Sequence, residues 1–222
     1  MADQHAIPAA GRPTVAVADT ALVFPVRRIF CVGRNYREHS REMGASDLEA
    51  PPFFFTKPAE AVVASGGVVP FPGRTQDLHH EIELVVALAG PGKIYGYAAG
   101  IDLTRRDVQL ALKQSGKPWD TAKGFEHSAP ISAIARAADI GHPARGRIWL
   151  EVNGQIRQDG DIADMIWGVP AILAELSTWF EIHPGDLVFT GTPAGVGPLR
   201  PGDRVCGGVD GVGRLEVTMA AR

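Results

Sequence analysis

Residues 78–88 read LHHEIELVVAL, and the meaning of this stretch decides the architecture. Successive side chains on a β-strand point to opposite faces, so Glu81 and Glu83 share one face while Ile82 and Leu84 take the other. Two like charges side by side on an otherwise apolar strand repel each other and resist desolvation. Either one carboxyl is protonated or a cation lies between them, and the cation is the more economical solution.

Working outward, the same β-branched texture recurs in short runs separated by turn residues. Strands are expected over residues 28–32, 52–57, 68–70, 81–88, 97–103, 148–152, 187–190 and 215–219. The chain has 26 glycines and 17 prolines in 222 residues, and they punctuate these runs. Three helices are expected. One follows Asn35, with Asn35 as cap, Glu38 closing a capping box and Gly44 ending it. A second follows Thr104 through RRDVQLALKQS to Gly116, and a third, VPAILAELSTWF, starts at Pro170. There is no regular βαβ alternation, which argues against a Rossmann or barrel fold. The reading is an α+β, strand-dominated architecture.

A third acid, Asp102, ends the apolar run AAGIDLT, where a lone buried carboxylate would also need a partner. Three oxygen donors suit Mg²⁺ or Mn²⁺, whereas zinc favours His and Cys. HHEIEL is not the HExxH metalloprotease pattern, so His79 and His80 read as turn or supporting residues. An isolated E-x-E reads more readily as a solvated strand face; Asp102 and Lys123, in TAKGF, shift that weighting. Three acids, a divalent ion and the Lys123 ammonium would sum to a neutral site.

His39 and Glu42 are spaced i, i+3 and share a helix face. A carboxylate beside imidazole fixes its tautomer and raises its basicity, which makes a water-activating base; the plainer alternative is a surface ion pair. Arg106 and Gln109 share a face of the second helix and could reach a substrate carboxylate, or simply face solvent. FTGTPAGVGP, containing Thr192, follows an apolar strand with a glycine-rich turn whose free N–H groups can hold an oxyanion, and it lacks the P-loop order.

Composition limits the partners. A formal charge of -3 without basic blocks gives nothing to draw the chain to nucleic acid or anionic membrane, and a small molecule is the expected partner. The start, MADQHAIPAAGRPTVAV, lacks a basic-then-apolar order, and no stretch reaches the roughly 18 apolar residues of a membrane span, so a cytoplasmic protein is expected. Two cysteines, Cys31 and Cys206, are too few for a disulfide scaffold and read as reduced core thiols.

These residues lie in blocks, CVGRNYREHSREMG, PPFFFTKP, LHHEIELVVAL, GIDLTRRDVQ, WDTAKGFEHSAPIS and FTGTPAGVGP, whose order and separations resemble the fumarylacetoacetate hydrolase family from about Phe24 to the C-terminus. Within that family, KPWDTAKGFEHSAPIS is most similar to the bacterial fumarylpyruvate hydrolases of gentisate breakdown, with acylpyruvases and oxaloacetate decarboxylases close behind. The resemblance implies the family's mixed β-roll, assembled as a homodimer, with residues 1–23 as a leading segment and 24–222 as one catalytic domain. It implies that Glu81, Glu83 and Asp102 bind Mg²⁺ or Mn²⁺, that His39 and Glu42 activate water on a mobile lid, and that Lys123 polarises the substrate carbonyl or holds its carboxylate. Arg106, Gln109, Thr192 and, more weakly, Lys57 would contact substrate. The implied reaction is cleavage of a C–C bond in fumarylpyruvate or a related acylpyruvate. Oxaloacetate decarboxylation or keto–enol tautomerisation is the alternative, and a catalytically silent binding module a further one. Relatives carry a longer insertion where ALAGPGKIYGYAAGID joins two strands here, so a break between Leu88 and Tyr95 is expected, with consecutive Cα atoms far beyond the roughly 3.8 Å of a trans peptide.

Overall fold

The apolar run after Glu83 is buried on both faces, and the rest of the chain is arranged to make that possible. The structure is a computed structural model and describes residues 6–8, 10–42, 44 and 51–221. Strand Ile82–Gly90 lies inside an eight-stranded sheet, antiparallel to both Lys93–Ile101 and Asp186–Phe189. Leu84, Val86 and Leu88 enter the larger hydrophobic core, and Val85 and Ala87 enter a smaller one with Ile29, Cys31 and Phe189. Fully burying each Val or Leu contributes about 1.5–3 kcal/mol, so this strand anchors both cores.

From Asp186–Phe189 the sheet continues through Arg28–Gly33 to Phe53–Lys57; from Lys93–Ile101 it continues through Ala129–Ile131 to Val62–Ala64. A five-stranded sheet built on Arg147–Val152, Arg204–Val209 and Gly213–Met219 closes the larger core, contributing Leu150, Val205 and Leu215. A three-stranded sheet places Leu78–His80 between Thr104–Arg105 and Gly197–Leu199. The first strand, Thr14–Ala16, pairs with Val23–Pro25, and Val15, Val17 and Phe24 sit in the smaller core. The strand-dominated α+β expectation holds. All eight expected strands form with shifted ends; the longest of the strands not foreseen are Arg204–Val209 and Gln155–Asp161, and several two- and three-residue strands were not foreseen either.

The three expected helices form as Arg37–Glu42, Arg106–Gln114 and Val169–Trp179, with Pro170 in the first turn of the last, and two one-turn helices, Asp120–Lys123 and Ala137–Ile140, were not foreseen. Gly44 and Gly116 take positive φ, 72° and 63°, just past the first two, as the glycine stops require. The expected caps are different. Asn35 does not cap its helix: its amide donates to Trp167 O at 2.9 Å and Thr190 O at 2.8 Å and accepts from Trp167 N at 2.7 Å, tying two loops together. Glu38 pairs with Arg41 instead of closing a box. Thr104 sits before Arg105, the residue at the cap position, and its hydroxyl reaches Glu81 Oε1 at 3.2 Å. For Asn35 and Thr104 a tertiary partner outcompetes the local one, whereas Glu38 takes a partner one turn along its own helix.

The expected break between Leu88 and Tyr95 does not occur. Ile82–Gly90 and Lys93–Ile101 stay paired to the end, Gly90 opposite Lys93, and Pro91 and Gly92, with φ 64° at Gly92, make a two-residue turn. Among the described residues no helix is long and apolar enough to cross a membrane. Cys31 and Cys206 are buried and unpaired with each other, as expected.

Candidate metal centre

Where Ile82–Gly90 begins, its polar end meets the end of its neighbour: Ile82 pairs with Ile101, and Asp102 N donates to Glu81 O at 2.8 Å. This register carries the third acid to the first two. One carboxylate oxygen from each of Glu81, Glu83 and Asp102 lies within 4.8 Å of the others, and all three residues are buried.

Each acid has its own partners. Glu81 accepts from Lys123 Nζ at 2.8 Å, from Thr104 and from Arg106 Nη2. Glu83 accepts from Gly191 N at 2.7 Å. Asp102 Oδ2 accepts from Lys123 Nζ at 2.7 Å, while Oδ1 receives no aligned hydrogen bond, although Lys57 Nζ stands 2.8 Å away. Burial pushes the Glu81 carboxyl upward, but Lys123 and Arg106 outweigh it and hold it well below the usual range. Glu83 goes the other way: burial first, then the charges of Asp102 and Glu81, raise it far above an ordinary carboxyl. Burial lowers Lys123, and Asp102 and Glu81 more than restore it, so it is a fixed cation rather than a proton acceptor.

This donor set fits a hard divalent ion. It is all oxygen, one oxygen lacks an aligned donor, and the Lys123 ammonium already bridges two of the acids as a cation would. The expected neutral sum changes, however. Lys57 and Arg106 also pair with the acids, so once all three acids are ionised three buried cations balance them, and a divalent ion leaves two positive charges in excess.

The cluster opens into a pocket lined by Glu81, Glu83, Arg106, Gln109, Lys123, Thr192 and His39. On the Arg37–Glu42 helix, His39 Nδ1 lies 3.1 Å from Glu42 Oε2. The hydrogen bond to His39 chiefly lowers the Glu42 carboxyl, so Glu42 is an ionised acceptor and Nδ1 carries the proton. In that tautomer of the neutral ring the lone pair is on Nε2. Arg106 Nη1 donates to Gln109 Oε1, so the second helix presents both as one unit. Phe53, Phe55 and Trp119 add an aromatic wall, Trp119 meeting Phe53 edge-on at 5.2 Å, and Arg34 and Lys113 stand at the same pocket.

Lys57 is placed differently from the expectation that it contacts substrate. It does not line the pocket; its ammonium is fully buried against Asp102 and donates to Ser128 Oγ at 3.0 Å, Leu103 O at 3.2 Å and Lys123 O. His79 and His80 stay outside the acid cluster. His79 pairs with Asp77, and His80 with Gln158. The aromatic wall and the Gly191 N–H were not singled out from sequence. Only the FFF run and the glycine-rich turn hinted at them.

A family model described as fumarylacetoacetate (FAA) hydrolase C-terminal matches residues 28–220. The chain belongs to the fumarylacetoacetate hydrolase family. Among relatives of this hydrolase family, a fumarylpyruvate hydrolase from Ralstonia sp is 43% identical over 75% of the chain and 92% of that protein. A mitochondrial oxaloacetate tautomerase from Mus musculus is 41% identical over 84% of the chain and 88% of that protein. The structure of a fumarylpyruvate hydrolase from Pseudomonas aeruginosa in complex with Mn²⁺ and pyruvate superposes with a TM-score of 0.95 at 42% identity, covering 99% of the chain and 100% of that protein. The strand-rich fold expected from the family blocks is therefore the family's own.

Proposed function

We propose that this chain is a divalent-metal-dependent hydrolase that cleaves fumarylpyruvate to fumarate and pyruvate, with Glu81, Glu83 and Asp102 as the ligands of Mg²⁺ or Mn²⁺. One observation carries the reading: a buried trio of acids, two of which, Glu81 and Glu83, line a pocket, faces a carboxylate-backed histidine lining the same pocket. The surplus positive charge suits an anionic α-keto acid, a property that fumarylpyruvate and oxaloacetate share.

Held by Glu81, Glu83 and Asp102, the ion would supply positive charge facing the α-keto acid end and would stabilise negative charge developing there. Arg106 and Gln109 orient the pyruvyl carboxylate, and Lys123 adds a fixed positive charge beside it. His39 Nε2 removes a proton from water, whose oxygen adds to the distal ketone carbon. The bond from that carbon to the methylene then breaks, its electron pair passing to the pyruvyl fragment as an enolate. His39 gives up its proton to the methylene carbon, which makes pyruvate, and the acyl half leaves as fumarate, its acid proton passing to solvent. The Phe53–Trp119 wall offers a flat apolar face to the conjugated fumaryl tail, and Arg34 and Lys113 offer charge to its far carboxylate.

A second reading uses the same site on oxaloacetate, as tautomerase or decarboxylase, and is favoured by the identity to oxaloacetate tautomerases. Oxaloacetate has no tail to use the aromatic wall. Steady-state kinetics with fumarylpyruvate, a saturated acylpyruvate and oxaloacetate, each with Mn²⁺ and with EDTA, separates the two. The expected order puts fumarylpyruvate highest in kcat/KM; rapid turnover of oxaloacetate with no diketo acid cleaved overturns it. The family's homodimer belongs to the same proposal, and light scattering on the purified protein tests it.

A further inference from the structure

Gln158 is the one fully buried residue at the centre of the otherwise exposed strand Gln155–Asp161, and its side-chain amide makes four hydrogen bonds. Oε1 accepts from Ile82 N at 3.1 Å and from His80 Nδ1 at 2.9 Å. Nε2 donates to Pro193 O at 2.9 Å and to Thr192 Oγ1 at 2.8 Å. The polarity is fixed at both ends by the backbone: Ile82 N–H can only donate and Pro193 C=O can only accept. Two consequences follow without freedom. His80 must carry its proton on Nδ1, and the Thr192 hydroxyl, already accepting from Gln158, sends its own proton to Ile82 O at 2.7 Å.

The segments joined this way flank the chemistry. His80 and Ile82 bracket Glu81. Thr192 and Pro193 follow Gly191, whose N–H holds Glu83, and precede Gly195, whose N–H donates to Glu42 Oε1 at 3.3 Å. The turn lies flat on the Gln158 strand: a Cβ on Gly195, at φ 94°, would stand 2.2 Å from Arg157 O, and one on Gly160 would stand 3.0 Å from Pro193 Cβ. Thr192 lines the pocket, and its N–H meets no acceptor among the described residues.

We infer that Gln158 is a positioning residue for the proposed reaction: its amide sets the Thr192–Gly195 turn at a fixed height above the acid-bearing strand and turns the Thr192 hydroxyl proton away from the pocket. Thr192 therefore meets substrate as a backbone N–H donor beside a hydroxyl lone pair, and the same turn receives Glu42. Gln158 touches neither substrate nor ion. This inference rests on the proposed reaction for its kinetic consequences, but not for its hydrogen-bond polarity.

The test uses the full chain with Gln158→Met, of similar length with no strong donor or acceptor, and Gln158→Glu, which keeps the acceptor for His80 and Ile82 but opposes Pro193 O with a second acceptor. In Gln158→Met, kcat/KM for fumarylpyruvate falls about 10–100-fold, the range seen when groups supporting a site's residues are removed, while the Mn²⁺ dissociation constant changes less than threefold. In Gln158→Glu, activity relative to wild type recovers as the pH is lowered and the new carboxyl gains a proton to donate. ¹⁵N NMR of metal-free protein shows His80 with its proton on Nδ1 in wild type and Gln158→Glu, shifting toward Nε2 in Gln158→Met. A folded Gln158→Met with wild-type kcat/KM overturns the positioning role. Nε2–H at His80 in wild type, read without metal or substrate, overturns the polarity even if the assigned reaction is wrong. Should Gln158→Met not fold, a Gln158→Glu variant with the wild-type pH profile overturns the inference.

Discussion

Replacing Lys57 by Met removes a buried cation from the back of the acid cluster while leaving the pocket lining untouched. Lys57 is 1% exposed, and its ammonium stands 2.8 Å from Asp102 Oδ1 and donates to Ser128, Leu103 and Lys123. Breaking a buried pair by deleting one partner costs about 3–5 kcal/mol, because the remaining charge is left without compensation. For a chain of this size about 1 kcal/mol moves Tm by roughly 2–4 °C, so metal-free Lys57→Met should melt roughly 6–20 °C below wild type. A divalent ion at the three acids would restore much of this. Without the competing ammonium Asp102 binds the ion more tightly, and ligand at 1,000 times its dissociation constant stabilises by about 4 kcal/mol. Calorimetric melts of both proteins, in EDTA and in excess Mn²⁺, give the four numbers needed. The Tm gap should narrow in Mn²⁺, with a matching gain in Mn²⁺ affinity by titration. An equal gap in both buffers would refute the coupling between Lys57 and the ion site, and equal Tm values in EDTA would refute the charge argument itself.

His39→Ala should keep Mn²⁺ binding and fold but lose roughly 10²–10⁴-fold in kcat, read by steady-state kinetics beside a metal titration; wild-type turnover removes His39 from the mechanism. Glu83→Gln should weaken Mn²⁺ binding and flatten its pH dependence, since a carboxyl raised by burial must release its proton to bind the ion, making wild-type affinity climb with pH. His80 is held at about 4, chiefly by burial, against about 6.5 when unfolded. Below pH 6.5 the unfolded chain takes up a proton that the folded one refuses, so this contribution is complete above that pH. It declines by about 3 kcal/mol towards pH 4. His80→Asn, which keeps a donor for Gln158, should lose that part of the slope in melts recorded in EDTA between pH 7 and 4.5. Gly191→Ala puts a Cβ 2.7 Å from that of Asn35 at φ 98°, and should lower Tm by several degrees with weaker Mn²⁺ binding.

The candidates for the acid cluster were legible from short-range rules, strand alternation for Glu81 and Glu83 and an apolar run ending in an acid for Asp102, but their convergence rests on the register of two strands and was implied only by the family resemblance. The i, i+3 spacing likewise gave the His39–Glu42 contact. What escaped depends on partners distant in the chain. Asn35 was read as a cap because nothing nearby competes for it, yet loops 132 and 155 residues away do. Lys57 is expected at substrate only through the family resemblance, and nothing in the FFFTKP strand signals that Asp102 stands behind it. Arg204–Val209 was missed since its Gly207 and Gly208 lower strand propensity; the space they leave is filled by Ile82 and Trp149. Gln155–Asp161 was missed because QIRQDGD has one inward side chain, Gln158, and that one is polar.

The paired strands Ile82–Gly90 and Lys93–Ile101 hold their acids at one end and their tight turn at the other. Seven residues separate Glu83 from Gly90, which at about 3.4 Å each places the two ends some 24 Å apart. Added peptide at Pro91 and Gly92 therefore extends the hairpin outward without altering the pairing beneath it. Chain length can vary there, as by grafting, while ligand spacing at the opposite end stays as it is.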